Sequence, residues 1–323
     1  MRVLGFDEMI VSARTVVQRA VRGMELALVM DNTGSMRSAN KIGTMRSAAH
    51  ILINTLFGNQ TSADNLWVSV VPYVATVNIG EWRTGWLGSY DPARYLPATW
   101  DHNLVYADGA IAEFNGPPYK SKKDNKLNRQ PDVNNAWWAE IPAVEWKGCV
   151  LARENGEDMT DTTPGIEPFE VQFWPSTKGA FGWNTGDNDW EWDTIVESNG
   201  AQNNGLGPNL GCGPPITSLI NSRPDLHVAI NEMMPWHRGG TMANLGLAWA
   251  WRTLSPDWRG LWGGDTPPHL PLDYDEPLMD KVVVLLTDGN NEWYDWPTGM
   301  PNNPDADYTA YKRPSQRRHN DYQ

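Results

Sequence analysis

The stretch LALVMDNTGSM, residues 26–36, constrains this chain more than any other. Leu26 to Met30 is an unbroken apolar run that ends in Asp31, and Asn32, Thr33, Gly34 and Ser35 follow at once. A short apolar run bounded by turn formers reads as a central strand. The carboxylate and hydroxyls therefore stand at the carboxyl end of a strand, where open α/β folds keep their ligands.

The flanking pattern extends that unit. In SANKIGTMRSAAHILINTLFG, residues Ile42, Met45, Ala49, Leu52, Ile53 and Leu56 form one apolar face, with Gly58 as a stop, which predicts a helix. LWVSVVPYVATVNIG, residues 66–80, is β-branched and aromatic; its Pro72 predicts an edge strand or a break between two strands. Strand, helix and strand in this order begin a parallel α/β unit. The pattern stops between Glu81 and Pro215, where NG, GD and GP turn pairs recur without periodicity. So long a stretch is expected to be an insertion packed around its tryptophans, or else partly disordered. The chain holds 18 Trp, 24 Pro and 29 Gly, and many fall between about residues 80 and 270.

The α/β pattern returns at PITSLINSRPDLHVAINEM, with Ile216, Leu219, Ile220, Val228, Ile230 and Met233 as its apolar positions. TMANLGLAWAWRTL predicts a helix with Leu245, Ala248, Trp249 and Leu254 inward, starting directly after Gly239, Gly240 and Thr241. KVVVLLTDGNN predicts a second buried strand ending in Asp288. The expected organisation is an N-terminal segment (1–24, with helix favoured over strand from residue 9), a discontinuous α/β domain (25–80 and 216–290), the insertion (81–215) and a loop-like tail (291–323).

Charge narrows the function. With 39 acidic against 26 basic residues, the net charge of −13 argues against a nucleic-acid groove or an affinity for anionic membranes. No run approaches the roughly 20 apolar residues of a membrane helix, and the charged amino terminus is not a signal peptide, so the chain taken literally reads as soluble and cytoplasmic. Two cysteines, Cys149 and Cys212, make neither a zinc site nor a disulfide scaffold; one bridge between them depends on an oxidising compartment, and the residues alone leave it open. Asp187, Asp189, Glu191 and Asp193 alternate, but lack the glycine and final glutamate of a calcium loop and read as a solvated acidic turn. The six histidines are scattered; His227 and His237 stand ten apart, grouped with no nucleophile.

Three places share one design: Asp31 with Thr33 and Ser35, Thr241 after a double glycine, and Asp288 before Gly289. Each is explicable singly, as a helix cap or a turn. In a parallel sheet all three converge on one edge, with no strand-end Lys or Arg competing for the acids. Ligation by hydroxyl and carboxylate oxygens alone suits a hard cation, Mg²⁺ first, with Mn²⁺ or Ca²⁺ as alternatives.

These motifs carry a resemblance. DNTGS (31–35) resembles the first motif, Asp-x-Ser-x-Ser, of a von Willebrand factor A domain; Thr241 in RGGTMANLG resembles its isolated threonine, and Asp288 in LLTDG its closing aspartate. Thr33 in place of serine keeps the oxygen ligand. More narrowly, ELALVMDNTGSM, VPYVATVNIGEW, GCVLAR, DTTP, GCGPPI, GGTMANLGLAWAWRTLSP and KVVVLLTDGNN resemble the TadG-like proteins of bacterial tight-adherence (Flp) pilus loci, over about residues 25–310.

The resemblance implies an open parallel sheet with helices on both faces and a metal-ion-dependent adhesion site. Thr33, Ser35 and Thr241 would bind the ion through their hydroxyls, and Asp31 and Asp288 through water or directly. A protein partner's carboxylate would complete the coordination, in pilus assembly, adhesion or secretion, without enzyme chemistry. It also implies a periplasmic or envelope setting, which favours a Cys149–Cys212 disulfide. The family's membrane helix and its later strands are missing from the stretch given, so the outer strands on one side of the sheet are expected to be absent. Two other readings stand beside it. Exposed coplanar tryptophans would make the insertion a glycan-binding module. A haloacid-dehalogenase-like phosphatase would use Asp31 as nucleophile, but wants an aspartate where Thr33 stands and a lysine near the phosphate.

Overall fold

The computed structural model describes residues 22–88, 97–124, 127–134, 136–141, 143–174, 188, 190, 195–197, 205–236, 238–294 and 307–313. The expected N-terminal helix lies outside these residues, except that Gly23 and Met24 already belong to the first strand. Asp187, Asp189, Glu191 and Asp193 of the acidic turn, and His237, also lie outside them.

In chain order the principal elements are β1 (Gly23–Asp31), α1 (Lys41–Phe57), β2 (Leu66–Tyr73), β3 (Val77–Asn78), β4 (Ile111–Glu113), β5 (Pro118–Ser121), β6 (Trp138–Glu140), β7 (Cys149–Val150), β8 (Thr217–Ile220), α2 (Arg223–Asn231), β9 (Gly240–Thr241), α3 (Ala243–Leu254), β10 (Met279–Leu286) and β11 (Glu292–Trp293). The central sheet runs β10-β1-β2-β8. β1 pairs in parallel with both β10 and β2, whereas β8 runs antiparallel to β2. The sheet is therefore mixed, not wholly parallel as expected. Only β1-α1-β2 is a direct crossover; the chain reaches β8 after the insertion, so no crossover dictates its direction.

Alternation along β1 assigns the two faces. Leu26, Leu28 and Met30 pack with Ile42, Met45, Ala49 and Ile53 of α1 and with Leu226 and Ile230 of α2. Ala27 and Val29 face the other way, toward Leu245, Trp249 and Leu254 of α3. Helices thus cover both faces, as the apolar stripes of α1 and α3 predict. Val228, counted among the apolar positions of the sequence, is 58% exposed on α2. Closest approach on the α3 face falls at Gly246: a Cβ there would lie 2.7 Å from the Tyr73 ring and 2.9 Å from Val29.

Pro72 does not break its strand. The bonds Met24 N–H to Asn65 O and Asn32 N–H to Tyr73 O put the odd-numbered residues of β2 on the β1 side. The nitrogen of Pro72 therefore faces β8, whose pairing has already ended at Val70 with Thr217, so no ladder bond is lost. At the other side β10 is an edge strand, half-buried along most of its length and 44% exposed at Val283, rather than the buried strand expected. Glu25, 1% exposed, fixes its register by pairing with Lys281. Lys281 Nζ also donates to Leu254 O at 2.8 Å and Leu272 O at 2.7 Å.

The insertion is folded where it is described. β4, β5 and β6 form a small antiparallel sheet over Trp138, and β7 pairs with β3. The tryptophans are anchors: Trp86 lies 5.2 Å from both Trp258 and Trp262, and Phe169 lies 4.9 Å from Trp249. Into this cluster Arg252 of α3 is buried, donating to the carbonyls of Thr160, Glu157 and Asp158. Burial pushes its guanidinium down to about 9. Cys149 and Cys212 form a disulfide with Cα atoms 5.8 Å apart. Of the tail expected to be loop-like, the described residues 291–294 and 307–313 hold only the short β11; Tyr308, Ala310 and Tyr311 are buried, and buried Asp307 pairs with Arg238.

Candidate metal centre

The site begins where β1 ends. Asp31 is fully buried, and each of its oxygens accepts two bonds. Oδ1 takes the Thr33 backbone N–H at 2.8 Å and the Thr33 hydroxyl at 2.6 Å. Oδ2 takes the Tyr73 phenol at 3.0 Å and the Thr287 hydroxyl at 2.8 Å. Burial first, and then the Asp31 carboxylate, push the Tyr73 phenol well above its ordinary value, so it remains a donor. Four donors leave Asp31 no free lone pair aimed outward. Its work in this arrangement is to orient Thr33.

Thr33 gives its only hydroxyl proton to Asp31, so its oxygen is left as an acceptor, 3.1 Å from Ser35 Oγ. Ser35 Oγ in turn donates to Asp288 Oδ1 at 2.8 Å. Asp288 arrives from the end of β10, beyond the neighbouring strand, and the parallel pairing of β1 with β10 brings the two strand ends together. Thr241 comes from β9, which pairs with β11. It is held there by Gly239 and Gly240, both at positive φ, where a Cβ would collide with Ala75 and with the Glu292 carbonyl. Met242, not Thr241, stands at the N-cap of α3, so the Thr241 hydroxyl is not spent on capping.

Thr33, Ser35 and Thr241 line one pocket of about 250 Å³, together with Ser38, Trp236, Glu292 and Tyr294. All five candidate ligands expected from the sequence thus gather at one rim of the sheet, three on the pocket wall and two immediately behind it. Four further residues escaped the sequence analysis. Thr287 sits beside Asp288 and was legible as a hydroxyl next to the closing acid. Lys41 corrects an expectation: no strand-end base competes for the acids, but this helix-start lysine does, with Nζ 2.5 Å from Asp288 Oδ2. Trp236 reaches the pocket through a bridge with Thr33, and Glu292 through its pairing with Thr241. Neither has a local sequence signal.

The donor set fits a hard cation. It offers three hydroxyl oxygens, of which Thr33 and Ser35 already direct their protons to Asp31 and Asp288. Among the described residues no group of three or more His, Cys, Asp or Glu gathers as metal ligands. The same geometry disfavours a phosphatase: a nucleophilic aspartate needs an exposed oxygen, and Asp31 has none. A glycan platform finds little support either. Trp138, Trp146 and Trp174 of the insertion are buried, and Trp82 is its only strongly exposed tryptophan among the described residues.

No protein-family model, curated protein or solved structure matches this chain. Among the described residues no helix is long and apolar enough to cross a membrane.

Proposed function

We propose that this protein is a von Willebrand A-like, TadG-like binding protein that grips a partner through a divalent cation. One observation carries the reading: Ser35 and Asp288, from opposite ends of the domain sequence, touch at 2.8 Å beside the pocket that Thr241 also lines. The strand order, with β1 between two parallel neighbours and helices on both faces, supports the same reading.

Thr33, Ser35 and Thr241 would hold the ion, Mg²⁺ first, with Asp288 released from Lys41 to join directly or through water. The bound ion would supply one open coordination position for a carboxylate of a protein partner. Trp236 and Tyr294 on the pocket wall would pack against the stem of that partner residue, and Asp31 would keep Thr33 aligned throughout. Such a device needs no nucleophile, and the natural setting is pilus assembly, adhesion or secretion at the cell envelope. The Cys149–Cys212 disulfide fits an oxidising compartment of that kind.

Calorimetric titration with Mg²⁺ tests the site directly, comparing the protein with a Thr241→Ala, Asp288→Ala double variant. The expected result is saturable heat from the first and none from the second. Equal heats from both would end the reading.

A further inference from the structure

Apart from the residues that line the candidate centre's pocket, α1 and α2 meet through a set of paired histidines and asparagines. His50 Nδ1 and His227 Nδ1 face each other at 2.7 Å. The remaining nitrogens are both engaged by amide oxygens of the opposite helix. His50 Nε2 lies 3.0 Å from Asn231 Oδ1, and His227 Nε2 lies 3.1 Å from Asn54 Oδ1. Each helix therefore contributes the same pair, a histidine and an asparagine four residues later, crossed over onto its neighbour.

An oxygen acceptor at Nε2 requires the proton there, so each neutral ring carries a bare lone pair on Nδ1. Two lone pairs pointed at each other across 2.7 Å repel, and something positive between them removes the repulsion. Metal-bound histidines have this arrangement, in which the ring nitrogen away from the ion donates to an oxygen that fixes tautomer and orientation. We infer that His50 and His227 form a nitrogen-ligated site for a borderline transition-metal dication such as Zn²⁺, with water completing the coordination and Asn54 and Asn231 orienting the rings.

Two imidazoles on tetrahedral Zn²⁺ stand roughly 3.3 Å apart at their nitrogens, so the rings must part by about 0.6 Å. Both rings are only partly buried, which leaves room for that rotation. A proton shared between the rings is the competing occupant. The neighbouring cations are engaged elsewhere: Arg223 donates to Gly58 O at 2.6 Å and Arg46 to Asn231 O at 3.4 Å.

This site is independent of the Mg²⁺ reading. Its ligands are nitrogens on two helices, and the hard cation would prefer the oxygens at the sheet rim. Calorimetric titration of the full chain with ZnCl₂ tests it, with His50→Ala and His227→Ala as single variants and Asn54→Ala as a third. Folding of each is checked by its thermal melt without metal. One Zn²⁺ per chain is expected, with affinity at least tenfold weaker in either histidine variant and several-fold weaker in Asn54→Ala. Zn²⁺ should also raise the melting temperature of the wild type and not of the histidine variants, because it clamps α1 to α2. Mg²⁺ titration should be unchanged in all of them. Identical Zn²⁺ binding in the wild type and both histidine variants would overturn the inference. So would histidine ¹⁵N spectra showing a proton between the two Nδ1 atoms that saturating Zn²⁺ does not displace.

Discussion

Ser35 and Asp288 lie 253 positions apart in the chain, and the hydroxyl of the first donates to the carboxylate of the second at 2.8 Å. The contact exists because β1 and β10 run parallel in register from Gly23 with Met279 to Met30 with Leu286, so both strands deliver their next polar residues to one rim. Asp288 is also shared with Lys41, at 2.5 Å. An ammonium there neutralises the acid, and a cation in the pocket would have to take its place.

Removing Lys41 should therefore tighten divalent-cation binding. For Lys41→Met the expected gain in Mg²⁺ affinity is roughly two- to five-fold, the scale of a part-exposed ion pair. Calorimetric titration beside the wild type measures it. Weaker binding in the variant would mean that Lys41 supports the site instead of competing for it.

Asp31 should matter for folding as much as for binding. Asp31→Ala strands the Thr33 N–H, two threonine hydroxyls and the Tyr73 phenol in a buried space, which is expected to cost about 3 kcal/mol or more. Urea denaturation reports this loss. A cost below about 1 kcal/mol would show that the four donors find other partners.

The buried pair Arg238–Asp307 ties the tail to the segment that carries Thr241. Arg238 is bidentate, with Nε at 2.7 Å and Nη2 at 2.9 Å from the two Asp307 oxygens. Asp307→Ala leaves an uncompensated buried guanidinium and should destabilise by about 3–5 kcal/mol. The double variant Asp307→Leu, Arg238→Met should recover most of that loss in the same denaturation assay, since it buries no orphan charge.

Reducing the Cys149–Cys212 bond opens a loop spanning 63 residues. Loop entropy puts its contribution at roughly 4 kcal/mol. Denaturation with and without reductant should show a loss of that order. Hydrogen exchange should rise first in β7 and the 205–216 segment, ahead of β1 and β2.

Much of the framework was legible beforehand. The apolar stripe Ile42, Met45, Ala49, Ile53 and the cluster Leu245, Ala248, Trp249, Leu254 mark α1 and α3 together with the faces they bury. The five oxygen-bearing residues at strand ends and after the double glycine were likewise visible as candidates. Other features had no local trace. Pro72 looked like an edge position or a break, yet β2 is an unbroken inner strand, because a sequence does not show which side of a strand its missing N–H faces. Val228 counted as apolar, yet the neighbours of α2 leave it in solvent. The histidines looked scattered because His50 and His227 are 177 residues apart and meet only across two packed helices.

Periodicity and turn chemistry in the sequence determined β1, α1, β2, α3 and β10, and which oxygen-bearing residues stand at their ends, because those preferences act within a few neighbouring residues. Only the tertiary structure decided the antiparallel course of β8, the burial of Asp307 to Tyr311 and the placement of Lys41 on Asp288. Those outcomes depend on which distant surfaces pack together, and the desolvation and pairing that select them act between residues the chain order keeps far apart.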